Sequence, residues 1–141
     1  MSEVSNTIEF ELVSPEKLLM SEPVEMVVVP GTEGDVGVLP GHSLLIAAVR
    51  PGVIDIHEGG QVRESIFVAG GFAEVTPERC TVLAEEAMAP GEIDRGQVES
   101  QIRDLGEDMR GAQTDTERRA VQARLLVAEA KLAALEETSG R

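Results

Sequence analysis

Aromatic residues are scarce in this chain of 141 residues, which has three Phe and neither Trp nor Tyr. A hydrophobic fraction of 42% is nevertheless ordinary for a globular protein, so the core has to be built from aliphatic side chains. The single cysteine, Cys80, excludes an internal disulfide and fits a reducing compartment.

Positive charge is also in short supply, because twelve Lys and Arg oppose twenty-six Asp and Glu and give a formal net charge of −14. Such a protein repels phosphate backbones and anionic headgroups, which argues against nucleic acid and against direct membrane insertion. No apolar run approaches the roughly 20 residues that span a bilayer, and the acidic first residues lack the pattern of a targeting peptide. If the protein works at a membrane, we expect another protein to bring it there.

Residues that could carry chemistry are few and scattered. Asp55 and His57 share one face of a predicted strand, but no third ligand is identifiable, so we predict hydrogen bonding and no metal site. Cys80 precedes an apolar strand without a nearby His, which predicts a small buried hydrophobe. No nucleophile-base pattern or carboxylate pair stands out from the general acidity. We therefore predict no catalytic residues.

The most constrained stretch is residues 23–45, PVEMVVVPGTEGDVGVLPGHSLL. Met26 to Val29 predicts a strand that is buried on both faces and is stopped by Pro30-Gly31. The glycines that follow predict a shaped loop leading into a second apolar strand, Leu44 to Val49. A phosphate-binding loop is disfavoured because no Gly-Lys-Ser/Thr follows, and because Glu33 and Asp35 would repel the phosphate.

The sequence up to Met88 is otherwise a series of apolar segments separated by turns about ten residues apart. Lys17 to Glu22 is expected to be irregular or edge structure. The remaining predicted strands are Ile8 to Leu12, Val53 to His57, Gln61 to Val68, Phe72 to Thr76 and Cys80 to Ala84. This pattern predicts an antiparallel β-sandwich or barrel over residues 1–88.

Over residues 89–141 the spacing of apolar residues changes to that of helices, with the domain boundary predicted near Pro90-Gly91. Asp94 with Gln97, and Thr114 with Glu117, predict two helix starts, and a glycine at position 111 ends the first helix. The two apolar stripes are Val98, Ile102, Leu105 and Met109, then Val121, Leu125, Ala128, Leu132 and Leu135. The sequence therefore predicts a two-helix antiparallel hairpin.

Several of these segments together resemble the epsilon subunit of bacterial rotary, F-type, proton-translocating ATP synthases. The resemblance rests on VVVPGTEGDVGVLPGHSLL and continues through VAGGFAEV and TVLAE, in order, over nearly the whole sequence. It implies a non-catalytic central-stalk subunit that couples c-ring rotation to ATP synthesis. The implied partners are the gamma subunit, the c-ring and, through the helical arm, the alpha and beta subunits. The implied location is the cytoplasmic face of the inner membrane.

The resemblance also implies roles for individual residues. It places Asp35 and His42, together with Glu33, at positions that face the polar loops of the c-ring. Without the resemblance, Asp35 is best interpreted as a turn residue and His42 as the start of a strand.

A nucleotide-sensing regulatory module is the alternative function. Many family members resemble one another in an Ile/Leu-Asp-x-x-Arg-Ala box that binds ATP with basic residues of the second helix. Here Ile93 and Asp94 match, but the Arg-Ala pair is absent, which removes a cation from the site. Arg118, Arg119 and Arg124 could compensate, although on an exposed helix such residues usually pair with Glu. We predict no bound cofactor and leave the nucleotide alternative open.

Overall fold

The computed structural model describes residues 6–138 and divides the protein into two compact units, between Ala87 and Met88. The first unit is made of β-strands and the second of helices. The predicted fold class, a β-sandwich or barrel followed by a helical hairpin, is confirmed.

The strands are β1 (Ile8–Val13), β2 (Leu18–Val24), β3 (Met26–Gly31), β4 (Gly34–Val38), β5 (Leu45–Val49), β6 (Gly52–Glu58), β7 (Gln61–Val68), β8 (Gly71–Val75), β9 (Arg79–Ala84) and β10 (Ala87–Met88). Read across the sheet in space and starting at β7, neighbouring strands follow the order β7-β6-β3-β5-β8-β9-β1-β2, and β4 pairs with β3. Alternate side chains of these strands point inward and form an aliphatic core that also contains the ring of Phe10.

One pairing departs from the antiparallel prediction. β1 and β9 are parallel, with Glu9 opposite Arg79 and Val13 opposite Leu83. The two strands lie far apart in the sequence, so no turn between them could have indicated their direction. This pair joins the first strand of the domain to one of its last.

The glycine-rich loop predicted after Val29 is wrong in part. β3 continues through Pro30 to Gly31, and the segment from Gly34 to Val38 is itself a strand that pairs with β3 in an antiparallel hairpin. Pro30 is tolerated because its carbonyl oxygen, rather than an N–H group, makes the bond to the neighbouring segment, accepting from the backbone N–H of Arg50 at 2.9 Å.

Other strand predictions need smaller corrections. Met26 and Val28 are only partly buried, so β3 is not buried on both faces. For Lys17 to Glu22, predicted as irregular or edge structure, the edge alternative is confirmed, because β2 lies at one end of the sheet. The β6–β7 hairpin is confirmed, with Gly59 and Gly60 both at positive φ in its turn.

The second unit contains a short 3-10 turn (Pro90–Glu92) followed by α1 (Arg95–Gly111) and α2 (Asp115–Thr138). Asp94 caps α1 by accepting from the Gln97 N–H at 3.1 Å, and the Thr114 hydroxyl caps α2 by accepting from the Glu117 N–H at 3.1 Å. Both predicted helix starts are therefore confirmed.

The helices are antiparallel, since the Arg95 guanidinium lies 3.9 Å from the Glu136 carboxylate at opposite ends of the hairpin sequence. Val98, Val121 and Ala128 of the predicted stripes are buried, and the other stripe members are partly buried. Among residues 6–138, no helix is both long and apolar enough to cross a membrane.

Candidate functional site

The β3–β4 hairpin reverses direction within two residues, Thr32 and Glu33. Gly31 and Gly34 pair at its last rung, and a Cβ on Gly31 would lie 2.6 Å from the Gly34 carbonyl oxygen. Gly34 has a φ of 132°, which residues with a side chain rarely adopt. The backbone therefore requires glycine on both sides of the tip, where Glu33 is exposed.

The Arg50 guanidinium bridges the two strands of this hairpin. Its Nη1 donates to the Gly31 carbonyl at 2.6 Å, and its Nη2 donates to Asp35 Oδ1 at 2.7 Å. Arg50 directly follows β5, so these bonds tie the tip end of the hairpin to a third strand. The Asp35 carboxylate, predicted from the resemblance to face the c-ring, thus has a partner within its own protein.

His42 lies on the segment that connects β4 to β5. Its backbone N–H donates to the Leu39 carbonyl at 3.1 Å, and its ring Nδ1 is 2.7 Å from the Ser43 carbonyl oxygen. The preceding residue, Gly41, donates to the Pro77 carbonyl in the β8–β9 turn at 2.8 Å. The structure brings Glu33 and Asp35 together on one hairpin, while the described contacts of His42 are with its own segment.

A row of apolar side chains crosses the outer face of the sheet, and residue-by-residue reasoning missed it. Five cross-strand partners on β5, β8, β9, β1 and β2 form this apolar row: Ala48, Phe72, Leu83, Val13 and Leu18. Phe72 is 58% exposed and Leu83 54% exposed, because their neighbours along each strand are the ones that point into the core. Strand alternation could have placed Phe72, Leu83 and Val13 outside, but only the pairing aligns them. Leu18 joins the row through a register shift in the β1–β2 pair, which alternation alone does not predict.

The next row on the same face is polar across β8, β9 and β1, where Thr81 lies between Glu74 and Glu11, and it continues on β5 with the exposed Ile46. Arg79 Nη1 lies 3.0 Å from Glu11 Oε2, and the Thr81 hydroxyl donates to Glu11 Oε1 at 3.1 Å. These hydrogen bonds, first from Arg79 and then from Thr81, hold the pKa of Glu11 below its ordinary value. The apolar row is therefore bordered by carboxylates.

A small cavity lies within the helical unit at the start of α1. Its volume is about 110 Å³, and its lining includes Ile93, Asp94, Gln97 and Lys131. Ile93 is 8% exposed, and the carboxylate of Asp94 already caps the helix. The residues that match the family's ATP box thus have structural roles here.

The three arginines predicted to complete a nucleotide site lie on α2, which begins at the opposite end of the helical hairpin from Asp94. Arg118 donates to Asp115 at 2.7 Å and to the Ala112 carbonyl at 3.4 Å, next to the turn between the helices. Arg119 and Arg124 are exposed on α2. The structure therefore does not gather Arg118 with Asp94, since the length of α1 separates the turn from the Asp94 cap.

Other candidate groups are accounted for by the sheet. Burial raises the pKa of the Cys80 thiol to about 12, so the thiol stays protonated and packs as a core side chain. Asp55 accepts from the Ser65 hydroxyl at 2.7 Å. Within the described part of the sequence, no group of three His, Cys, Asp or Glu side chains could hold a metal ion.

Family models match both units. The model described as ATP synthase, Delta/Epsilon chain, beta-sandwich domain matches residues 7–90, and the model of the C-terminal domain of the ATP synthase epsilon chain matches residues 94–140. The protein belongs to the ATP synthase epsilon chain family. The resemblance predicted from the residue pattern is confirmed, as is the prediction of an accessory rather than a catalytic subunit.

Relatives named ATP synthase epsilon chain support the epsilon assignment along most of the sequence. The protein of Rhodospirillum centenum is 57% identical over 134 residues, 92% of each sequence. That of Rhodospirillum rubrum is 50% identical over 131 residues, 93% of this sequence and 98% of the relative.

Two solved structures share the fold. A subunit in the Euglena gracilis mitochondrial ATP synthase OSCP/F1/c-ring structure matches with a TM-score of 0.83 and 24% identity, over 95% of this protein and 84% of that subunit. A subunit in the Tetrahymena thermophila mitochondrial ATP synthase central stalk/c-ring structure matches with a TM-score of 0.65 and 14% identity, over 95% of this protein and 99% of that subunit.

Proposed function

We propose that this epsilon-family protein is a non-catalytic rotor subunit of an F-type ATP synthase. Its β domain docks on the gamma subunit and on the c-ring, and it couples proton-driven ring rotation to ATP synthesis on the alpha and beta subunits. It is held peripherally at the cytoplasmic face of the bacterial inner membrane by the complex. The proposal is supported by the family membership and, above all, by the apolar row on the outer face of a well-packed sheet.

The apolar row is suited to a protein partner. It crosses five adjacent strands, a length of about 19 Å at the usual strand spacing. Single exposed apolar side chains are common, whereas an aligned row of them indicates an interaction surface. Because the exposed Glu74 lies in the neighbouring row, the complementary surface would be an apolar stripe with a basic side chain at its border. We assign this surface to gamma.

The core explains how the domain could transmit torque. Its inward side chains, among them Phe10, Phe67 and Ile54, are fully buried. Close-packed interiors of this kind are poorly compressible and transmit strain. The parallel β1–β9 pair also connects the first strand to the end of the domain. A force applied at one edge would therefore turn the domain as a unit.

The β3–β4 hairpin and the segment bearing His42 form the surface that we assign to the c-ring. Glu33 and Asp35 contribute acidic groups to this surface. His42 is half-buried and lies four residues after the end of β4. Exposed charges of this kind orient a complex and speed its assembly more than they add affinity. The hairpin would thus set the angle at which the domain sits on the ring.

Nucleotide sensing is the less favoured function. The cavity at Asp94 is about 110 Å³, well below the roughly 300 to 1,000 Å³ of ordinary ligand pockets. Among the described residues, Lys131 is the one basic side chain that lines it. Calorimetric titration of the full-length protein with MgATP is expected to show no sub-millimolar binding, and binding in that range would favour the regulatory module.

Co-purification with gamma tests the proposed docking. Phe72→Glu places a charge in the middle of the apolar row, and we expect it to abolish recovery of gamma with the protein. Leu126→Glu is the matched control, because Leu126 is exposed to a similar degree, 50%, but lies on α2. Undiminished recovery of gamma by a folded Phe72→Glu variant would contradict the assignment of this face.

A further inference from the structure

The Asp35 carboxylate, assigned above to the ring-facing surface, is already bound by Arg50. We propose that Arg50 is a positioning residue for the β3–β4 hairpin, and that Asp35 acts on the c-ring through this bridge and not by touching the ring. Glu33 is then the carboxylate that makes the contact. The inference rests on the proposed function, because it concerns how the ring-facing hairpin is shaped.

The hydrogen bonds around Arg50 hold the hairpin from both sides. The guanidinium reaches the last residue of β3 through the Gly31 carbonyl and reaches β4 through Asp35. The backbone adds two further bonds, from the Arg50 N–H to Pro30 at 2.9 Å and from the Thr32 N–H to the Ala48 carbonyl at 3.0 Å. Only the two tip residues extend beyond these attachments.

The planar fork of arginine is what makes the bridge. Its two terminal nitrogens point in fixed directions and donate to two acceptors at once, at 2.6 and 2.7 Å. A lysine has a single nitrogen on a flexible stem, so it could keep the charge but could not hold both strands in the same way.

The charges at the hairpin point to Glu33. Asp35 and Arg50 neutralise each other, whereas the Glu33 carboxylate has no hydrogen-bond or ion-pair partner among residues 6–138. A basic group on the ring would therefore meet Glu33 without displacing anything. To reach Asp35 it would have to replace Arg50.

The two roles of Asp35 predict opposite effects for Arg50→Gln. If Asp35 contacts the ring directly, Arg50 competes with the ring, and its removal should strengthen attachment. If Arg50 positions the hairpin, its removal should weaken attachment as much as Asp35→Asn does, and the double variant should be no worse than either single one.

Hydrogen exchange of the isolated full-length protein tests the bridge without reference to the complex. We expect Arg50→Gln to speed exchange of the Thr32 amide by about two- to fivefold, the range for losing an exposed ion pair. Arg50→Lys should restore only part of the protection. Arg63→Gln is the matched control, since it removes another ion-paired arginine of the β domain, bound to Glu22. Unchanged Thr32 exchange in Arg50→Gln would overturn the positioning role.

Attachment to the membrane sector in reconstituted complexes tests the consequence. Arg50→Gln and Asp35→Asn are expected to loosen attachment equally and without additivity, while Glu33→Gln adds its effect to either. Tighter attachment of Arg50→Gln would overturn the proposal and restore Asp35 as a direct contact. If Arg50→Gln speeds exchange of the Thr32 amide but all three variants attach normally, the ring-facing role of the hairpin is refuted. Only the structural role of Arg50 in holding the hairpin would then remain supported.

Discussion

Truncating side chains of the apolar row should weaken gamma binding, and the exposed fraction of each side chain determines by how much. Phe72 and Leu83 leave 58% and 54% of their surface exposed in the isolated protein. Full burial of such a side chain stabilises by about 1.5 to 3 kcal/mol. If gamma covers the exposed part, Phe72→Ala and Leu83→Ala should each cost about 1 to 1.5 kcal/mol, or roughly five- to tenfold in Kd.

The two positions should also be coupled. Phe72 and Leu83 are direct cross-strand partners, so each helps to cover the other in a complex. The double variant should therefore differ from the sum of the single ones by about 0.5 kcal/mol or more. Because both side chains point away from the core, the unfolding free energy of the isolated protein should change little.

Isothermal titration of gamma with each variant measures the effect, and denaturant unfolding confirms that the variants are folded. Gln61→Ala, an exposed position on β7, is the control and should bind like the parent protein. An unchanged Kd for the folded double variant would refute the reasoning, because a covered row cannot lose two of its three largest side chains without loss of affinity.

Three further predictions concern stability. Gly71→Ala should destabilise the β domain by at least about 2 kcal/mol in urea unfolding, since Gly71 has a φ of 143° and its Cβ would lie 1.9 Å from the Leu83 carbonyl oxygen. Gly106→Ala should raise the stability of the helical arm by up to about 1 kcal/mol in thermal circular dichroism, because the added methyl meets nothing nearer than 4.0 Å; a loss of helicity would contradict this. The pKa of Glu11 is lowered from 4.5, so its contribution to stability is present above that value and is lost as pH falls through the folded-state pKa. Glu11→Gln should flatten the decline in unfolding free energy below about pH 5, and parallel curves for the two proteins would refute that.

Elements set by local chemistry could be predicted from the sequence. The β6–β7 turn follows from Gly59-Gly60, and the starts of α1 and α2 follow from the side-chain oxygens of Asp94 and Thr114. In each case the residues that determine the structure lie within a few positions of one another. The helical stripes were predictable for the same reason.

Features set by distant pairing could not be predicted in the same way. The parallel β1–β9 register depends on strands about seventy residues apart, and it is this register that aligns Val13 with Leu83 in the apolar row. Strand β4 was hidden because its glycines resemble a loop unless β3 is known to lie beside it.

The candidate site shows the same limit. The resemblance predicted that this loop faces a partner, and it marked Asp35 as a residue of interest. It could not show that Arg50, fifteen residues further on, holds that carboxylate, because the ion pair exists only once β3, β4 and β5 are assembled. A polar residue that stands out in a motif can therefore be bound by another residue of its own protein.

The central claim, that this subunit couples ring rotation to catalysis elsewhere, is tested most directly by proton-driven ATP synthesis in the host's synthase reconstituted with and without it. We expect synthesis to be lost when the subunit is omitted and restored when it is added back, while ATP hydrolysis by the remaining subunits persists. Undiminished proton-driven synthesis in a complex that lacks the subunit would contradict the account.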